Sequence, residues 1–229
     1  MKKLFNFDNP VMVVLTRIAD MMILNILTLV LSIPIITIGA AFTANYYCCL
    51  KIRRDEDSGI LKMYFSSFKM NFKQSTILWL IIIGAVSIPS YLLYIVMQLY
   101  ANEVPTYIKV ILSAAILLSL FLTAMIFPIQ SRFSNSIKNT IKTSILMGVA
   151  NPPRTFLIIL LFVAPAYLTY NFTQLIPIEV LFGISVPAFI SVLLYNKTFL
   201  KLEEKANEEN GVAAPGTEDE HIFSDESEI

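Results

Sequence analysis

The stretch Gln74 to Asn102, QSTILWLIIIGAVSIPSYLLYIVMQLYAN, runs without a charged residue and decides the class of the fold. A helix needs about 20 apolar residues to cross the hydrocarbon core of a bilayer. Four other stretches are free, or nearly free, of charge over comparable lengths: Met21 to Leu50, Val110 to Ser131, Thr155 to Ile178 and, shortest, Val180 to Asn196. Of the 229 residues, 56% are hydrophobic and 15% charged, against about a quarter charged in a soluble domain. The expected fold is all-α, a polytopic transmembrane bundle of five to six helices. The basic start at Lys2 and Lys3 precedes an apolar run too long for a signal peptide, so a retained anchor is expected.

The first apolar stretch is too long for one span and too short for two. It carries Pro34 and Gly39 in its middle (Ser32-Ile33-Pro34-Ile35-Ile36-Thr37-Ile38-Gly39). Counted from Val11, two short helices fit, joined by a reversal at Pro34 to Gly39. Arg17 and Asp20, three residues apart, share a helical face and are placed to pair.

The zero formal net charge hides an asymmetry. Residues 203–229 hold ten acids and one base, a net −9, which leaves +9 on residues 1–202. Two regions follow: a transmembrane domain over 1–202 and an acidic tail over 203–229, too poor in apolar residues to offset its ordering entropy and expected to be disordered. Residues 51–73 hold six bases against three acids, and residues 132–154 hold four bases and no acid. The positive-inside rule places both loops in the cytoplasm. With Lys197, Lys201 and Lys205 after the last span, both termini fall inside, which requires an even number of crossings and favours six helices in a multi-pass protein.

Each inner loop carries an amphipathic pattern. Leu61, Phe65, Phe68 and Phe72 share one helical stripe, with Lys62, Lys69 and Lys73 on a second beside it. Phe133, Ile137, Ile141 and Ile145 repeat the spacing, with Lys138 and Lys142 alongside. Residues 68–75 (FKMNFKQS) align over 137–144 (IKNTIKTS), which suggests an internal duplication of helix, interfacial amphipathic helix and helix. Lys69, Lys73, Lys138 and Lys142 are the candidate surface for anionic lipid or a partner, since lysines so placed reach toward phosphates.

The inventory argues against chemistry. The single histidine, His221, lies in the acidic tail, so no His-based triad, zinc site or proton relay within the membrane is expected. Cys48 and Cys49 are adjacent and offer neither a disulfide framework nor a CxxC motif. Asp20 is the acid within the spans, while Glu103 and Glu179 mark outer connections. No GxxxxGK[ST] segment occurs. An enzyme, a cofactor and a nucleic-acid partner are therefore not expected. The amides Asn25, Asn45, Gln98, Gln130, Asn171 and Gln174 lie in spans, either as interhelical hydrogen-bonding groups or as the lining of a path for an uncharged solute. A carrier would show a polar cavity lined by Asn25, Asn45 or Gln130. A partner protein would show a packed interior and an exposed inner patch.

The residues Asp20-x4-Asn25, Ser32 to Ala41, Ala44 with Tyr46-Tyr47, Lys51 to Asp57, and Phe65-x2-Phe68-Lys69-x-Asn71-Phe72-Lys73-Gln74 carry a resemblance. A second block is Phe127-Pro128-x4-Phe133 with Lys138-Asn139 and Asn151-Pro152. In these the chain resembles the YesL-like family of bacterial integral membrane proteins, a domain of unknown function; the long acidic tail departs from that pattern. The resemblance marks Asp20, Asn25, Pro34, Thr37, Gly39, Phe65, Phe68, Asn71, Phe72, Lys73, Phe127 and Pro128 as motif positions. It implies a cell-membrane location and a helper role in carbohydrate uptake beside ATP-binding-cassette importers. An autonomous small-solute permease is the alternative. For the motif itself, Pro34 lacks an N–H, Thr37 can bond freed carbonyls, and Gly39 permits a positive φ, so the chain is expected to reverse there without orphaned backbone groups.

Overall fold

The computed structural model describes residues 10–54, 56, 59–100, 103–133 and 136–195. Among them there are helices and turns but no strand. The helices are α1 (Pro10–Leu31), α2 (Ile38–Arg53), α3 (Ile60–Leu99), α4 (Thr106–Gln130), α5 (Ile137–Ala150), α6 (Pro152–Asn171), α7 (Ile176–Phe182) and α8 (Ser185–Tyr195). Short 3-10 turns precede α2 (Ile35–Thr37) and α7 (Thr173–Leu175). Five helices are long and apolar enough to cross a membrane, and the α7–α8 pair, bent by 56°, makes up to six. The chain is thus a multi-helix membrane protein. The described residues up to Val192 form one compact unit; of the second unit, the structure describes only the last turn of α8.

The ambiguous first stretch is two helices. Pro34 closes α1 off, with φ −74° and ψ 118°, because a proline has no N–H to extend the ladder. Thr37 then ties the reversal together: its hydroxyl donates to the carbonyls of Leu31 and Pro34, and its N–H reaches Pro34 at 2.9 Å. The Trp79 indole N–H takes the Ile35 carbonyl at 2.8 Å. Ile33, Ile35 and Ile36 are exposed at this tip. The tip can therefore sit in an apolar medium, since these carbonyls find partners within the protein.

Gly39 serves differently from expectation. It lies inside α2, and among the described residues the glycine with positive φ is Gly59, at the start of α3. A Cβ on Gly39 would collide with the Ser75 carbonyl oxygen and come within 2.8 Å of Trp79 Cβ. One turn on, the Thr43 hydroxyl meets that of Ser75 at 2.9 Å. Small residues at four-residue spacing thus let α2 and α3 pack backbone to backbone, a device common where apolar burial cannot drive helix association.

α3 holds 40 residues, about 60 Å at ~1.5 Å per residue, roughly twice the ~30 Å hydrocarbon core. The amphipathic segment Leu61 to Gln74 is therefore not a separate interfacial helix but the first part of α3. Residues 73–79 (KQSTILW) contain no breaker. Its counterpart does stop: α5 ends at Asn151, with φ −134° and ψ 64°, and two prolines open α6.

Further along α3, Pro89 leaves the Ala85 carbonyl without its helical donor, and the Ser119 hydroxyl of α4 supplies one at 2.8 Å. The core gathers around α2, where Ala40, Ala41, Ala44, Asn45, Cys48 and Cys49 are all fully buried. Phe127 stacks between Phe42 (5.8 Å) and Trp79 (6.3 Å), and Pro128 beside it is buried.

Candidate functional site

The bent α7–α8 pair leaves carbonyls at the end of one helix and N–H groups at the start of the next, in a part-buried setting against α1. Asn25 of α1 supplies them. Its amide nitrogen donates to the carbonyls of Glu179 (3.2 Å) and Val180 (2.7 Å), and its oxygen accepts from the N–H groups of Ile184 (2.7 Å) and Ser185 (2.8 Å). Two donors and two lone pairs are the full capacity of an amide. Asn25 is 0% exposed. At the break, a Cβ on Gly183 would come within 2.6 Å of the Glu179 carbonyl oxygen, so the tight approach needs glycine.

A second amide extends the network. Asn45 of α2 donates to the hydroxyls of Thr28 (2.8 Å) and Ser185 (2.9 Å), and its oxygen accepts from the Cys49 thiol at 3.4 Å. Thr28 in turn donates to Leu24 (2.7 Å) and accepts from Tyr64, whose hydroxyl also reaches the Ala41 carbonyl at 3.1 Å. Asn25, Thr28, Asn45, Tyr64 and Ser185 thus tie α1, α2, α3, α7 and α8 into one buried polar core. Thr28, Tyr64 and Ser185 were not among the sequence candidates. Tyr64 had a signal, since it lies off the Phe65 stripe in an amphipathic helix; Thr28 and Ser185 had none beyond the general use of hydroxyls in membrane helices.

Gln130, at the end of α4, joins the two basic segments. It donates to the Asn71 side chain at 3.3 Å and accepts from the Thr140 hydroxyl at 3.3 Å. Asn71 and Thr140 fall opposite each other when residues 68–75 are aligned over 137–144, as do Ser75 and Ser144, which are both buried.

The buried stripe of α3 is Ile60, Met63, Tyr64, Ser67, Ser75, Leu78 and Ile82, and not the phenylalanine stripe. Leu61 and Phe65 are 54% and 42% exposed; Phe68 and Phe72 are half-buried and stack on each other at 5.5 Å. Lys69, Lys73, Lys138 and Lys142 are all exposed. Arg17 and Asp20 do approach each other, at 3.9 Å.

Residues 21–95 match the model of a family described as "Protein of unknown function, DUF624". The matched segment runs from α1 through most of α3. It contains Asn25, Thr28, the Pro34 reversal, Gly39, Asn45, Tyr64, Asn71 and Ser75, and so most of the buried polar core. This chain is similar to an uncharacterised family over that segment. No curated protein and no solved structure matches the chain.

Proposed function

We propose that the chain is a non-catalytic membrane protein of the YesL-like type, held in the bacterial cell membrane with both termini cytoplasmic and acting as an accessory in carbohydrate uptake. Its partner would be a membrane subunit of an ATP-binding-cassette importer, met through Lys69, Lys73, Lys138 and Lys142. The observation that carries this reading is the contrast between interior and surface. Asn25, Asn45 and Gln130, the amides a carrier would place along a path, are consumed by hydrogen bonds within the protein. The four lysines stand exposed. Exposed tyrosines support the orientation: Tyr91, Tyr94 and Tyr100 near the end of α3, Tyr107 at the start of α4, and Tyr167 and Tyr170 near the end of α6. Tyrosine is enriched where a span meets the headgroups, and here it marks the ends away from the basic loops.

The test is co-purification. Affinity capture of the tagged protein from mildly solubilised membranes should recover importer subunits, and changing the four lysines to Gln should lose them at an unchanged membrane level. Recovery equal to wild type would refute the surface. A second reading, an autonomous small-solute carrier, draws on the α7–α8 break, since discontinuous helices line the substrate sites of many transporters. Flux of a labelled sugar into proteoliposomes containing only this protein would establish it.

A further inference from the structure

α3 carries marks of both edges of a bilayer. Lys69 and Lys73 stand exposed in its first part, the helix then runs without charge from Gln74 to Leu99, and Tyr91 and Tyr94 are exposed near its far end. Lysine and tyrosine side chains settle at the headgroup level. Lys73 and Tyr94 lie 21 residues apart, about 32 Å along the helix, which matches the ~30 Å hydrocarbon core. α4 runs back along this length, with Ser119 opposite Ala85 and Gln130 opposite Asn71.

The α1–α2 hairpin meets α3 close to the lysines. Its tip lies at Trp79, which holds the Ile35 carbonyl, and the first turns of α2 lie at Ser75, against Gly39 and Thr43. α2 then runs back beside the first part of α3, where the Tyr64 hydroxyl donates to the Ala41 carbonyl. Trp79 is six residues past Lys73 and fifteen short of Tyr94, about 9 Å and 22 Å along the helix. α2 has 16 residues and reaches about 24 Å, less than the core is thick. A hairpin so placed ends inside the hydrocarbon.

The tip suits that depth. Ile33, Ile35 and Ile36 are 77%, 67% and 58% exposed, and no charge occurs between Met21 and Leu50. Thr37 and Trp79 take up the carbonyls of Leu31, Pro34 and Ile35, which in a turn at the surface water would serve. We infer that the α1–α2 hairpin is a re-entrant wedge: Ile33, Ile35 and Ile36 dock among the acyl chains of the leaflet next to Lys73, and the hairpin returns to the side from which it enters. The number of crossings falls by two and the termini keep their sides, so the wedge does not depend on the importer reading.

The experiment labels the full chain with a membrane-impermeant maleimide in right-side-out and in inverted membrane vesicles. Cys48 and Cys49 are buried and leave the background dark. Pro105→Cys and Asn139→Cys should each label from one side only, and from opposite sides. Ile33→Cys should label from neither side until detergent denatures the protein. In the wild type, Trp79 is the one tryptophan, and lipid brominated in mid-chain should quench its emission several-fold more than iodide in the buffer does. Labelling of Ile33→Cys from the side that labels Pro105→Cys would show that the hairpin crosses. Labelling from the side of Asn139→Cys would put the tip in water. Either result overturns the wedge, as does iodide quenching equal to that by the brominated lipid. Should Ile33→Cys fail to reach the membrane, Ile36→Cys is read in the same way, and the quenching needs no substitution.

Discussion

Asn25 carries more of the structure than any single position suggested by composition. Substituting Leu would leave the carbonyls of Glu179 and Val180 and the N–H groups of Ile184 and Ser185 without their side-chain partner. At ~1–3 kcal/mol for each buried polar group left unmatched, the loss should be at least about 2 kcal/mol, read as a lower midpoint in denaturant titration in detergent micelles. Gly39→Ala should cost about 1–3 kcal/mol through overpacking, because the new methyl meets the Ser75 backbone, which cannot rotate away. Cys48 and Cys49 are both 0% exposed, so a maleimide should label neither until detergent denatures the protein. Asn25 and Gly39 were both visible in the sequence, but their tasks were not. Nothing local says that a bent helix 150 residues away supplies the partners of Asn25. Nor does the sequence show that Gly39 is needed for close approach of a neighbouring helix rather than for its own φ.

Among the elements, the amphipathic period was legible in both basic segments, but the choice of buried face was not. In water an apolar stripe faces the core; beside lipid the apolar stripe can face out, and α3 buries Tyr64, Ser67 and Ser75 while Leu61 and Phe65 are exposed. Continuity was equally hidden, because periodicity runs through an interfacial helix and a span alike, and only Asn151-Pro152-Pro153 signals a stop. The Ser119 to Ala85 bond offers a clean test of helix association. Ser119→Ala should cost about 0.6–1.7 kcal/mol, the range for hydrogen bonds between membrane helices. In a Pro89→Ala background the cost should shrink, because the restored N–H of residue 89 takes the same carbonyl. A double-mutant cycle in detergent unfolding measures the difference, and equal costs in both backgrounds would show that the proline does not free that carbonyl.

For the molecule as a whole, charge-free runs located the helices, and the Pro34 reversal settled the first run as two. The last run, counted from Val180, holds the end of α7 and then α8 to Tyr195; no charge pattern marks the bend, because its polar ends are satisfied by α1 rather than by flanking residues. The tail from residue 203 lies outside the described residues. Truncation after Leu202 should leave membrane levels unchanged, measured by immunoblot of washed membranes, since the tail adds little apolar surface. Reporter fusions at Lys3, Pro105 and Ala206 should report inside, outside and inside. The proposed accessory role would be played through the exposed lysines rather than along a path through the bundle. Its most direct measurement is entry of labelled oligosaccharide into intact cells carrying Lys69, Lys73, Lys138 and Lys142 all changed to Gln, at matched membrane levels and with an unchanged melting temperature. The account predicts that the initial rate of uptake falls several-fold; a rate equal to wild type would contradict it.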